Sequence, residues 1–147
     1  MMFLDVKNSE SGRSMIEILG VMALMALLTA SAFILISSGM ATQKRSEITD
    51  KVSDIVTGVR SLYAEYDNLP SSFDGDKTLS ALSIDANGPD GTTFAVSRSS
   101  DKQFIVTVTG LSEDECGVLA AKAWTGSVNG ATCESTTLTT LTITYKK

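Results

Sequence analysis

The apolar residues of this chain are concentrated in one place. From Ile18 to Ile36 there is no charged residue, and only Gly20, Thr29 and Ser31 interrupt the run. At ~1.5 Å per residue and about 20 residues per span, that is enough to cross a bilayer. After Ser37, Ser38 and Gly39 the pattern turns amphipathic. Ile48, Val52, Ile55, Val59, Leu62 and Tyr66 recur at alternating steps of four and three, laying one apolar stripe along a helix. Lys44, Glu47, Asp50, Lys51, Asp54 and Arg60 take the other faces, with Glu47 and Lys51 four apart in the favourable order. A helix from near Met15 to Tyr66 would be about 78 Å long. Gly39 and Gly58 are its expected points of bending, and Asn68-Leu69-Pro70 ends it.

Beyond the helix, residues 71–91 are rich in Ser, Asp, Gly and Asn and read as a loop. Two strands follow. Phe94 and Val96 alternate with small or polar residues, a turn is expected at Ser99-Ser100-Asp101, and Phe104, Val106 and Val108 then share a face, which makes a hairpin. Ser112 with Glu115 three residues on is a capping box, opening a helix with Cys116, Leu119, Ala120 and Ala123 on one face and Gly126 as its stop. The threonine-rich end places Leu141, Ile143 and Tyr145 on one side of a last strand. The expected fold is α+β, a long N-terminal helix packed on a small antiparallel sheet.

Composition narrows the function. Seventeen acidic residues against twelve basic give the 147-residue chain a net charge of −5, and histidine is absent. Losing the commonest general base and transition-metal ligand lowers the prospect of hydrolytic or zinc chemistry. No enzymatic site and no cofactor is expected. Neither sign runs in blocks over residues 67–147, so no nucleic-acid surface is expected either. Asp85, Asn87 and Asp90 resemble part of a calcium loop but lack the closing glutamate, and turn chemistry is the reading preferred over metal. Cys116 and Cys133 are the two cysteines. An even count in a small exported domain favours a disulfide, worth roughly 3 kcal/mol in the chain-entropy picture, over two buried thiols in a reducing compartment.

The N-terminus admits three readings. In a secretory signal peptide, Lys7 and Arg13 supply the charge and Ala30-Ser31-Ala32 a cleavage site, although the apolar run continues to Ile36 and Glu17 sits at its start. A plain signal anchor is the second. The third starts from Glu17, a carboxylate in the first turns of a membrane segment, which is expensive without a partner. The stretch GRSMIEILGVMALMALL resembles the N-terminus of type IV pilins and pseudopilins, in which a prepilin peptidase cuts after a glycine, the new terminus is methylated, and a glutamate stands five residues into the mature chain.

That resemblance implies cleavage after Gly12, a mature terminus at Arg13, and Glu17 as the carboxylate that sets assembly register by meeting a neighbour's terminal amine. It divides the chain into a leader (1–12), a long helix (13–66, membrane-spanning over about 15–36 and amphipathic over 40–66) and a globular head (67–147). The head's layout is similar to type IVb pilins, where a disulfide, here Cys116 with Cys133, bounds the segment called the D-region. The implied partners are other copies of the chain, the bacterial inner membrane, the prepilin peptidase and the pilus assembly ATPase machinery. The implied destination is a cell-surface filament for adhesion, motility or DNA uptake. A type II secretion pseudopilin and an anchored binding domain that never polymerises are the alternatives.

Overall fold

The computed structural model describes residues 7–135 and 139–147. The chain divides into two compact units, 1–42 and 43–147. Helix α1 (Lys7–Leu62) contributes to both. It starts ahead of the expected boundary at residue 13, since no proline or turn pair precedes Gly12 to stop it; residues 1–6 of the expected leader lie outside the described residues. It also ends earlier than expected, at Leu62 rather than Tyr66. Turn hydrogen bonds from Ala64 to Ser61 and from Tyr66 to Tyr63 replace the helical ladder there.

In the first unit α1 turns its apolar residues outward. Every large apolar side chain from Met15 to Leu28 is more than half exposed, from 55% at Val21 to 72% at Ile16. The Thr29 hydroxyl donates to the Met25 carbonyl at 2.7 Å, so the one described polar side chain in the run between Ile18 and Ala30 is satisfied within the helix. Positions 31 and 33–35 of the expected membrane span lie outside the described side chains. Among the described residues no helix is long and apolar enough to cross a membrane.

The second unit is built on the amphipathic part of α1. Ile48, Val52, Ile55 and Val59 are buried, as their spacing predicts, and Val56 joins them. Leu62, the last residue of α1, and Tyr66, beyond its end, are exposed instead. Each buried Val or Ile contributes roughly 1.5–3 kcal/mol, so this stripe is what holds α1 to the sheet. At Gly58 an added Cβ would lie 2.7 Å from the Leu82 side chain, so glycine permits close packing there.

The sheet has four antiparallel strands, β1 (Thr93–Ser100), β2 (Gln103–Leu111), β3 (Ser127–Ser135) and β4 (Thr139–Lys146), in the order β1-β2-β4-β3. Register aligns the buried face: Phe94 opposes Val108, which opposes Leu141, and Val96 opposes Val106, which opposes Ile143. Phe104 and Tyr145 stack with ring centroids 5.7 Å apart. These residues and the α1 stripe form one hydrophobic cluster. The hairpin turn falls at Asp101–Lys102, one residue later than expected, because Ser99 and Ser100 extend β1 past an irregularity in register.

Besides the 3-10 turn Pro89–Gly91, one helix and one strand were not foreseen. Helix α2 (Gly75–Ala81) lies inside the segment read as loop, with the Asp74 carboxylate accepting from the Asp76 and Lys77 amides as its N-cap. Its tight seat on β1 requires glycine at 75, where a Cβ would stand 1.8 Å from the Val96 carbonyl oxygen. The other is β3, whose nine residues are all exposed or half-exposed. Helix α3 (Glu113–Ala120) forms behind the expected capping box but ends before Ala123, well short of Gly126. The Trp124 indole N–H donates to the Leu119 carbonyl at 2.9 Å and closes that end.

Candidate functional site

Chemistry-bearing residues lie in both units, in one group in the first and several in the second. In the first unit Gly12 and Arg13 both fall within α1, and their side chains lie outside the description. Glu17 is exposed, with Ile16 and Ile18 beside it at 72% and 56% exposure. A carboxylate set into a collar of exposed aliphatic side chains is well hydrated while the collar faces water. It becomes costly once the collar is covered, unless a cation is covered with it.

In the second unit the two cysteines are joined. Cys116, fully buried on α3, bonds to Cys133 on the edge strand β3 across 17 residues of sequence. The disulfide therefore ties an exposed edge strand to the core. The rest of β3 is held by its ladder to β4, from Ala131 opposite Ile143 to Ser135 opposite Thr139, and by Ser127 opposite Tyr145.

The capping box of α3 has a second role. The Ser112 hydroxyl accepts from the Glu115 amide, and the Glu115 carboxylate accepts from the Ser112 amide at 3.0 Å. The other Glu115 oxygen lies 3.1 Å from the Lys44 ammonium on α1, which also reaches Asp90 at 3.6 Å. Lys44 and Glu115 side chains are each only 13% exposed. Partial burial pushes the Glu115 carboxyl up, but the hydrogen bonds from Ser112 and Lys44 outweigh it and hold it below the usual carboxylate range. Lys44 thus joins α1, α3 and the 3-10 turn Pro89–Gly91.

The loop of Asp85 and Asn87 shows turn chemistry. The Asp85 carboxylate accepts from the Asn87 amide at 2.9 Å and from its side-chain nitrogen at 3.0 Å. The Asn87 amide hydrogen bond holds the Asp85 carboxyl low. The Lys51 ammonium donates to the Asn87 carbonyl and lies 5.5 Å from the centre of the Phe94 ring. Asp90 faces Lys44 instead of converging with Asp85.

At the other end of α1, Arg60 donates through Nε and Nη2 to the Lys146 carbonyl at 3.0 and 2.9 Å, and through Nη2 to Gly126 at 3.2 Å. Its guanidinium carbon lies 6.0 Å from the Tyr145 ring centre. Burial pushes the Tyr145 phenol up to about 12, with Arg60 opposing the rise. Neither Lys44 nor Arg60 was singled out from sequence beyond a place on the polar faces of α1; their partners are 71 and 86 residues away, outside any local pattern. Comparison of the chain with protein-family models, with curated proteins and with solved structures gives no match in any of the three.

Proposed function

We propose that this chain is a type IV pilin, an anchored subunit that is trimmed after Gly12 and polymerises through the first part of α1 into a surface filament. The observation that carries the reading is the exposure of every large apolar side chain from Met15 to Leu28, with Glu17 among them. A helix apolar on every side needs cover on every side. Lipid before assembly and neighbouring helices afterwards supply that cover, and at ~25 cal/mol per Å² many such contacts hold a fibre without covalent links.

Glu17 gives the packing its register. Cutting after Gly12 creates a cationic amine at Arg13, and that amine on one copy neutralises Glu17 of the next as both leave water. One-sided contacts of this kind build an open helix rather than a closed ring. The α+β head, with its buried-to-edge disulfide, fits a module that must survive outside the cell.

The experiment is electron microscopy of sheared surface material from cells making the wild-type chain or Glu17→Ala. Wild type should give long fibres, and the variant should insert into the membrane normally while fibre yield drops at least about tenfold, the penalty of ~1.4 kcal/mol or more for an unmatched charge. Fibres at wild-type yield from Glu17→Ala would remove its register role. Membrane-anchored protein without fibres from wild type would favour the non-polymerising anchored domain.

A further inference from the structure

The second unit is electrically polarised along α1. At the Lys44 end, Asp90 comes from the 3-10 turn, Glu113 and Asp114 from α3, and Glu134 from β3, all exposed. Two contacts draw them together: Lys44 to Asp90 at 3.6 Å, and the Ser135 hydroxyl to Glu113 at 3.1 Å. Carboxylates in the first turn of α3 also suit its helix dipole. That accounts for Glu113 and Asp114 but not for Asp90 or Glu134, which other elements bring to the same tip. Lys44 and Arg45 stand beneath this tip, and Lys44 is engaged by Glu115.

The Arg60 end is mainly basic, with the exposed Glu65 next to Ala64 of its groove. Arg60, Lys102, Lys146 and Lys147 line a groove of about 230 Å³ in which Asp67 is the one acid. The Lys147 amide donates to the Lys102 carbonyl at 2.9 Å, and Arg60 grips Lys146, so backbone contacts set the groove walls. Arg98 and Asp101 on the adjacent turn pair with each other. Two rulers give the separation of the ends: Lys44 to Arg60 is ~24 Å along α1 at 1.5 Å per residue, and Thr139 to Lys146 is ~23 Å along β4 at about 3.3 Å. Both exceed the screening length of about 8 Å at physiological salt, so the ends do not neutralise each other.

We propose that heads of successive copies dock end to end, the basic groove of Arg60, Lys102, Lys146 and Lys147 on one copy receiving the acidic tip of Asp90, Glu113, Asp114 and Glu134 on the next. This deepens the filament reading and rests on it. Single exposed pairs are weak, and their joint effect is orientation: tip meets groove, while tip against tip or groove against groove is repelled. The occupant is a second copy because the chain carries both halves of the match.

The test mixes unlabelled and heavy-isotope-labelled full-length chain in detergent at low ionic strength and treats it with a carbodiimide, which joins a lysine amine to a carboxylate as an amide with loss of water. Peptide mass spectrometry should find mixed-isotope links from Lys146 or Lys147 to Glu113, Asp114 or Glu134. Such links cannot close within one copy across ~24 Å. Their yield should fall about fivefold when salt is raised to ~0.5 M. Lys102→Glu with Lys146→Glu should abolish tip-to-groove association, and adding Glu113→Lys with Asp114→Lys to the same chain should restore it through the inverted pair. Mixed links confined to other sites, yields indifferent to salt, or no recovery in the doubly inverted chain would overturn the docking. Tip-to-groove links without fibres from wild-type cells would sink the filament reading alone, and fibres without such links would sink the docking alone.

Discussion

Glu115 shows how one side chain can be asked to do two things. It closes the capping box of α3 through Ser112, and it takes the Lys44 ammonium at 3.1 Å, so a local helix start is tied to an element 71 residues away. A carboxyl held below its ordinary value of 4.5 adds stability that is fully present above that value and is lost as the pH falls through the lower folded one. Glu115→Gln should keep the cap geometry, lower stability by about 1 kcal/mol at neutral pH, and flatten the loss of stability on acidification below about pH 4.5. Thermal melts of both proteins between neutral and acid pH would check this; parallel acid limbs would mean the carboxylate contributes nothing. Ser112 and Glu115 were legible in sequence as a local pair three residues apart. Lys44 was not, because nothing local distinguishes an engaged lysine from a solvated one.

Among the elements, those with one buried face were readable and those without were not. Phe94, Val96, Phe104, Val106, Val108, Leu141, Ile143 and Tyr145 alternate because one face of β1, β2 and β4 meets α1, and all are buried. Strand β3 has no such face, so its sequence carries no period of two, and it was missed. Helix α2 has only seven residues and buries only Thr78 and Leu79, too little apolar periodicity to stand out from the surrounding Ser, Asp and Gly. The end of α3 was misplaced because Trp124, folding back onto the Leu119 carbonyl, does the work expected of Gly126. The lack of a buried face on β3 gives its disulfide a measurable role. Replacing Cys116 and Cys133 together by serine should cost roughly 2–4 kcal/mol. Hydrogen exchange should then rise first in β3, while β2 and the α1 stripe stay protected. Uniform loss of protection would show that β3 and the core unfold as one.

For the molecule as a whole, the two units make opposite demands. The second buries its apolar residues against its own sheet, whereas the first exposes them from Met15 to Leu28. The apolar run was plain in sequence, but what would cover it is not something one chain's periodicity encodes. In the proposed filament one covalent event would join these demands: removal of residues 1–12 would supply the cation that lets Glu17 enter an apolar interior. Terminal sequencing or intact mass of the mature protein from its host membrane tests that event most directly. The expected result is a chain beginning at Arg13. A chain that keeps its first twelve residues, or one that begins at Phe33 after a signal-peptide cut, would contradict it.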